Sequence, residues 1–347
     1  MPHVNSFIEM KHLFQAGFED NEELLSRFGA DYSKQLKAYL IESNLQSSDI
    51  PCPKGYGQWK KLDADHWHIN VGDNSSGSFF LDSTRDRVWI LYSLLDAGES
   101  DTAVSKWIEN INGLDRCWLS RSQLMHYGDV ESWKEKGIGL KFIDGLTPEE
   151  NAGNFSLKAW YGARSQIEGL DNVLREAKDK FAIYSARWQK INSGSVSISA
   201  EWYSTGKVTI NKADDVDDVM LSISEMANRY EDAITKATKI RDNTMGSFEL
   251  NFTQTINLDA FAQAVSMGKS SMNLWLVETE SEQDFKRFRG VDLHTWDRVF
   301  MDVGPDYAYL TVPGKGCVNA APRIATVQGE DNAGKTSIYF DGVEMFA

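Results

Sequence analysis

A long amphipathic stretch, residues 214–241, constrains the fold of this chain most strongly. Its apolar side chains keep to three- and four-residue steps from start to end, which is the periodicity of a helix with one buried face. These positions are Val216, Val219, Ile223, Ala227, Tyr230, Ile234 and Ala237. Aspartates crowd its start and basic residues its end, which complements the helix dipole. We therefore predict a single helix that must bury its stripe against other elements.

Strand-like segments precede and follow this helix. Segments rich in β-branched and aromatic residues are separated by turn residues, which is typical of paired strands. They cover residues 155–161, 181–188, 196–203, 207–210, 248–256 and 272–278. After residue 278 the chain reads as mostly antiparallel β. Strands alternating with helices favour sheets that carry helices on one face, and hence the α+β class.

The first half of the chain gives a mixed pattern. We predict helices over residues 6–17, 21–43 and 100–111, with Ser100 or Thr102 as the cap of the third. Short strands are predicted at 66–71, 78–81, 116–119 and 138–143, and residues 88–95 are ambiguous between strand and helix. Residues 44–57, rich in proline and glycine, read as a linker.

These patterns divide the chain into three parts. Residues 1–57 form a helical extension and linker, residues 58–146 a first α+β domain, and residues 155–347 a second α+β domain. A strand–helix–strand unit is possible at two places in the last part, because Leu170-Asp171 and Leu258-Asp259 each open a helix between two strand-like segments. This similarity predicts an internal duplication.

Composition restricts the class and location of the protein. Hydrophobic residues make up 41% and aromatic residues 12% of the 347 positions, which a disordered chain does not reach. The N-terminus lacks a signal-peptide pattern, and no apolar run attains the roughly 18 residues of a membrane span. The three cysteines are far apart, which fits a reducing compartment. We therefore expect a soluble cytoplasmic protein without a membrane partner.

The charge of the chain bears on its partners. A net charge of −15 argues against nucleic acid as a partner, because the phosphate backbone would be repelled. The one compact basic group is Lys286, Arg287 and Arg289, and it follows an acidic run at once. Such mixed charge is typical of a solvated loop, although these three side chains are the candidates for contacting a phosphate group.

One string matches the phosphate-binding pattern GxxxxGK[ST]. It contains Gly329, Gly334, Lys335 and Thr336. That loop works only when a helix begins at the lysine, because the amides and dipole of the helix hold the phosphates. Here the chain continues as an apolar β-like stretch, so we reject a nucleotide site and expect a hairpin turn.

Two other groups of residues have the chemistry of metal ligands. Asp292, His294 and Asp297 lie close in sequence, and alternate residues of a strand share one face. His66 and His68 repeat that spacing around a tryptophan. Carboxylates with imidazoles bind divalent metals, and a bound metal activates water for hydrolysis. The competing interpretation of both groups is a packed polar strand.

The sequence indicates a function mainly through the catalytic motifs that it lacks. No complete catalytic signature is present, so no cofactor is predicted, and we interpret the chain as a non-enzymatic interaction protein or subunit that binds a protein partner. Two alternatives stay open. One is a metal-dependent hydrolase, such as a phosphoesterase or nuclease, that uses Asp292, His294 and Asp297. The other is a nucleic-acid or nucleotide-binding module whose sheet aromatics stack on bases.

Overall fold

The protein has a mixed α+β fold with six helices and two antiparallel sheets in the part of the chain that the structure describes, which confirms the predicted class. In this computed structural model the described residues are 4–19, 35–46, 50–51, 59–71, 77–143, 154–161, 172, 176, 181–244, 246–266, 272–331 and 335–346. The helices are α1 (Phe7–Phe18), α2 (Ala97–Asn110), α3 (Arg121–Leu124), α4 (Val216–Thr244), α5 (Leu258–Ser266) and α6 (Ala320–Asp331).

Eleven strands form the first sheet. They are β1 (Leu36–Ser43), β2 (Lys60–Lys61), β3 (His66–Val71), β4 (Gly77–Asp82), β5 (Val88–Ser93), β6 (Leu114–Arg116), β7 (Trp133–Ile143), β8 (Asn154–Trp160), β9 (Ala182–Asn192), β10 (Ser195–Tyr203) and β11 (Lys207–Ala213). Their order is β2-β3-β4-β5-β1-β11-β10-β9-β7-β8, and β6 also pairs with β1. Helix α2 buries Ala103, Val104 and Trp107 in the apolar core beside β1, β4 and β5.

Seven strands form the second sheet. They are β12 (Phe248–Phe252), β13 (Leu274–Glu282), β14 (Phe285–Asp292), β15 (Arg298–Val303), β16 (Tyr307–Thr311), β17 (Thr336–Phe340) and β18 (Val343–Met345). The order is β13-β14-β15-β16-β12-β17-β18, so the C-terminal part is rich in antiparallel β, as predicted. Helix α5 contacts β13 and β14, while α6 contacts β12 and β17.

The two sheets share a topology. In each, a four-stranded meander (β2–β5 or β13–β16) ends beside an earlier strand (β1 or β12), and a helix (α2 or α6) then leads to a strand on the other side of that earlier strand (β6 or β17). This shared topology is not the duplication expected from the sequence, which related the segments around Leu170-Asp171 and Leu258-Asp259. Most of residues 162–180 fall outside the described residues, so that duplication stays a prediction.

The chain divides into two compact units that interleave in sequence. The first unit contains Met1–Cys117, Tyr127–Glu135 and Arg187–Glu231, and the second contains Trp118–His126, Lys136–Ala186 and Asp232–Ala347. The domain limits expected from the sequence, 1–57, 58–146 and 155–347, stay a prediction. The proposed boundary at residues 145–154 lies almost wholly outside the described residues.

The long helix follows its pattern closely. Helix α4 covers Val216–Thr244, and the side chains of its apolar stripe from Val219 to Ala237 are at most 1% exposed. Helix α1 also begins where expected, because the Ser6 side chain accepts a hydrogen bond from the amide of Glu9. Both helices therefore lie where the sequence pattern predicted them, and the Ser6 cap explains where α1 begins.

The helix expected over residues 21–43 was wrong at its end, where Leu36–Ser43 form β1. All eight residues of β1 are buried, so both faces of the strand are covered. Strand β5 pairs along one edge of β1, while β11 and β6 share the other edge. An interior strand with both faces covered loses the period-two alternation, so periodicity alone does not separate it from a helix. Residues 20–34 of that predicted helix lie outside the described residues.

Four smaller expectations also change. Helix α2 begins at Ala97 after Asp96, and Ser100 and Thr102 lie inside it, where their hydroxyls donate to Asp96 O and Gly98 O. The ambiguous segment 88–95 contains strand β5, and the strand expected at 116–119 ends at Arg116. The region after residue 278 also contains one unexpected helix, α6.

No helix among the described residues combines the length and apolar character needed to span a membrane.

Substituting Gly290 tests the tight packing of the second sheet. A Cβ at Gly290 would lie 2.0 Å from the Trp275 carbonyl oxygen on the adjacent strand, so backbone must move. We expect Gly290→Ala to lower the free energy of unfolding by about 1–3 kcal/mol, measured by urea denaturation. The control is Gly98→Ala in α2, where the added Cβ lies 4.0 Å from the nearest side-chain atom and stability should be unchanged or higher. Equal effects of the two substitutions would contradict this packing.

Candidate functional site

Asp292 and Arg323 form a buried ion pair in the second unit. Asp292 Oδ1 accepts from Arg323 Nη2 at 2.6 Å and from the amide of His294 at 3.0 Å, and Arg323 Nε donates to the Met272 carbonyl oxygen at 2.7 Å. The side chains of Asp292 and Arg323 are 1% and 0% exposed. Arg323 therefore joins α6 to the end of β14.

This geometry changes the setting of the predicted metal cluster. Strand β14 ends at Asp292, so the alternation of a strand does not extend to His294, which lies buried in the following turn. The carbonyl oxygen of Asp297 accepts from the Asp292 amide at 2.9 Å. One carboxylate oxygen of Asp292 is committed to a guanidinium, and metal binding by Asp292, His294 and Asp297 stays a prediction.

Sequence reasoning missed Arg323. Its signal is present in the sequence, because it is the one charged residue in the otherwise apolar and small stretch 317–327. A charged side chain within a buried helix needs a partner of opposite charge. The sequence does not show which aspartate or glutamate pairs with Arg323.

His66 and His68 lie on β3 in the first unit, and each ring packs on an aromatic side chain. His66 Nδ1 lies 2.8 Å from Asp63 Oδ1, and its ring centroid lies 4.0 Å from that of Phe7. His68 is buried and stacks on Phe80 at 4.7 Å. Burial, with a smaller contribution from Lys60, lowers the pKa of His68 to about 4. Both rings fit the packed-strand interpretation, and a metal at His66 and His68 stays a prediction.

The three basic candidates on β14 do not act as one group. Lys286 is buried and binds Glu278 and Asp259, each at 3.0 Å, and these hydrogen bonds raise its pKa. Arg287 points to the opposite face, where it binds Asp302 at 2.8 Å. Arg289 has no hydrogen-bond or ion-pair partner among the described residues. Phosphate contact by these three side chains stays a prediction.

The string that matches a phosphate-binding loop is a helix-to-strand connection. Gly329 lies in α6, which ends at Asp331, and β17 begins at Thr336. The expected hairpin turn was wrong, because the string begins inside α6, in a region that we predicted to be mostly antiparallel β. No helix begins at Lys335, and Gly334 lies outside the described residues.

Cys117 is buried in the first unit as a small packed residue. Its side chain is 0% exposed. Burial raises the pKa of the thiol well above its usual value, and the nearby carboxylates of Glu42 and Asp115 raise it further. A protonated thiol without solvent access is a poor nucleophile, so Cys117 is structural.

The open face of the second sheet is the most distinctive surface of the second unit. Four large side chains are about half exposed on it: Trp275 (54%), Val277 (56%), Phe300 (43%) and Tyr309 (43%). The opposite face is covered, since Phe261 of α5 packs on Phe288 and the residues that alternate with the exposed ones are buried. We call the exposed set, with Arg289, Val291 and Arg298, the aromatic–arginine face.

Strand register makes this face continuous. One row across the strands pairs Val277 with Arg289, Arg289 with Phe300 and Phe300 with Thr311. The neighbouring row pairs Trp275 with Val291 and Val291 with Arg298. Directly paired side chains on one face lie within contact distance. Trp275, Val277, Val291 and Phe300 therefore form one patch with Arg289 and Arg298. Tyr309 lies in the next row, which pairs it with Asp302 and pairs Asp302 with Arg287.

Comparison with known proteins places the chain in a family. The family model for the MJECL33-like protein matches residues 1–329. The chain belongs to the MJECL33-like family. One relative, the uncharacterized protein MJECL33 of Methanocaldococcus jannaschii, is 23% identical over an alignment of 346 positions that covers 83% of this chain and 82% of that one. No solved structure matches.

Replacing Asp292 tests whether its ion pair is structural. We expect Asp292→Asn to lower the free energy of unfolding by about 3–5 kcal/mol, because it leaves the Arg323 guanidinium buried without a counter-charge. Chemical denaturation measures this loss. The control is Asp302→Asn, which removes the partly exposed partner of the exposed Arg287 and should have a much smaller effect. A small effect at Asp292 would show that the pair does not hold α6.

His68 should make stability depend on pH. Because its pKa falls from 6.5 to about 4 on folding, the folded protein binds fewer protons at this ring than the unfolded chain. Its contribution is complete above pH 6.5 and is lost as the pH falls towards 4. We expect His68→Leu to flatten the dependence of unfolding free energy on pH in this window. An unchanged slope in the variant would rule out this role.

Proposed function

We propose that the protein is a non-enzymatic subunit of a cytosolic multi-protein assembly and that the aromatic–arginine face docks a partner protein. The observation that carries the proposal is the contiguity of Trp275, Val277 and Phe300 on an otherwise open sheet. Single exposed apolar residues are ordinary on any protein. A continuous patch of them marks an interaction surface.

The residue types of the face suit a protein interface. Tryptophan, tyrosine and arginine are the residues that most often dominate binding energy, and all three occur here as Trp275, Tyr309, Arg289 and Arg298. A rigid antiparallel sheet holds them, so little conformational entropy is lost on binding.

The charges of the face define the chemistry of the partner. Arg289 and Arg298 have no hydrogen-bond or ion-pair partner among the described residues, whereas Arg287 is held by Asp302 and Glu280. Two available guanidinium groups among apolar side chains match a surface that presents carboxylates between apolar groups. We therefore propose a partner protein whose docking segment is acidic and apolar.

Trp296 supports a binding role for the same end of the sheet. It lies in the turn between β14 and β15, 55% exposed, with a backbone φ of 61°. A bulky side chain is strained in this left-handed region, where asparagine or glycine is the usual residue. A strained and exposed tryptophan in a turn is consistent with function because it does not improve the fold.

Nucleic acid is the competing ligand for this face, since aromatic side chains with arginines also bind single strands by stacking. The net charge of −15 opposes it. The aliphatic Val291 also lies between Trp275 and Arg298, where a base would need a planar partner. The protein partner is therefore the better supported of the two.

Alanine substitution on the face tests the proposal. The tagged chain is purified from its native host, a partner present in stoichiometric amount is identified and isolated, and its affinity is measured by calorimetry. We expect Trp275→Ala and Phe300→Ala each to weaken binding by roughly 30-fold, as for hot-spot residues. Trp160→Ala is the matched control, because Trp160 is 63% exposed on another strand. That variant should bind as the wild type does.

A second variant separates binding from folding. Trp296→Asn should leave the unfolding free energy unchanged or raise it, because asparagine tolerates the left-handed backbone, while it weakens partner binding. Partner affinity that is the same in the wild type, Trp275→Ala and Phe300→Ala would refute the proposal. Salt-sensitive binding of a labelled single-stranded oligonucleotide that is lost in Trp275→Ala would assign the face to nucleic acid instead.

A further inference from the structure

A cavity of about 490 Å³ lies within the second unit, on the side of α6 that carries Pro322, Ala325 and Thr326. Its other walls come from the α3 segment, from the start of β9, and from β17 and β18. This volume lies within the range of about 300–1,000 Å³ that is typical of sites for small organic ligands. None of the aromatic–arginine face residues lines it.

The floor of the cavity is apolar and well packed. Ile183, Ile338, Met345 and Phe346 line it, and each is less than a tenth exposed. Helix α6 presents only the methyl group of Ala325 and the bare backbone of Gly329 here, which leaves the space open between the helix and β17. A ligand with an apolar body would gain buried area here without displacing protein.

The polar part of the lining is basic and rich in hydroxyl groups. Among the described residues that line the cavity, Arg121 and Lys335 are the cations and Glu344 is the carboxylate. This positive excess contrasts with a chain whose net charge is −15. The hydroxyls of Thr326 and Ser337 also line it, and neither has a hydrogen-bond partner among the described residues. Cations with available hydroxyl donors are the groups that bind carboxylates and phosphates.

Local hydrogen bonds fix the backbone beside both cations. Helix α3 begins with a capping box, in which Ser120 Oγ accepts from the Gln123 amide at 3.1 Å and Gln123 Oε1 accepts from the Ser120 amide at 2.9 Å. Arg121 is the first residue of that helix. The amide of Lys335 donates to Thr253 Oγ1 at 2.8 Å, which anchors the entry to β17. Hydrogen bonds therefore fix the backbone positions of Arg121 and Lys335.

We propose that this cavity binds a small organic anion, with a carboxylate or phosphate head at Arg121 and Lys335 and an apolar body on the floor. The site explains why Gly329, Lys335 and Thr336 of the phosphate-loop pattern occur together at one surface although no phosphate-binding loop is formed. Here side-chain ammonium, guanidinium and hydroxyl groups hold the anion, whereas such a loop uses the amides of a helix.

The test uses the full-length protein and a fluorescent aromatic anion, anilinonaphthalene sulfonate. We expect saturable binding with one site per chain. Lys335→Ala should weaken it roughly tenfold, as expected for the loss of a charge-assisted hydrogen bond. Ala325→Leu should reduce it further by filling the cavity. Lys315→Ala is the charge-matched control, since Lys315 is exposed in the second unit and does not line the cavity, and it should bind as the wild type does.

Competition then separates the two sources of the anionic head. Displacement by decanoate shows a carboxylate ligand, and displacement by adenosine monophosphate shows a phosphate ligand. The Trp275→Ala variant must retain the signal, which separates this site from dye bound to the aromatic–arginine face. The inference is overturned if the wild type shows no saturable binding, or if Lys335→Ala and Ala325→Leu bind the dye as tightly as the wild type. It stands or falls independently of the proposed protein partner.

Discussion

One-sided burial of the second sheet is the constraint on which the functional surfaces depend. Along β13 to β16 the buried residues alternate with exposed ones, and α5 and α6 lie against the buried side. Because side chains of a strand alternate between faces, covering one face fixes which residues remain in solvent. Trp275, Phe300 and Tyr309 are exposed for that reason, and strand register then places them with Arg289 in one patch.

Helix α6 connects the structural and functional parts of the second unit. One side of it carries Arg323, whose ion pair with Asp292 ties the helix to the end of β14. The other side carries Ala325 and Gly329, which leave space for the cavity. An ion pair this deeply buried fixes position more than it adds stability, because desolvation offsets much of the attraction. The Arg323–Asp292 ion pair therefore fixes both the turn after β14 and the wall of the cavity that α6 forms.

Several polar side chains that look like catalytic candidates have structural contacts. Asp292 binds Arg323, Lys286 binds Glu278 and Asp259, and His68 stacks on Phe80. Buried polar groups generally need such partners, since an unpaired charge in the interior is very costly. Residue type and spacing in sequence do not distinguish a satisfied interior group from an available one, because the partner comes from another element.

The sequence by itself determined the elements whose pattern is local. Helix α4 follows from its continuous apolar stripe, α1 lies within one residue of the helix expected over residues 6–17, and the α+β class follows from the alternation of strands and helices. The tertiary structure decided the rest. Strand β1 resembled a helix because neighbours cover both of its faces, and α6 was missed among segments that read as β. The aromatic alternation of β13, β15 and β16 is visible in the sequence, but which face stays open depends on where α5 and α6 pack, and those contacts join residues far apart in the chain.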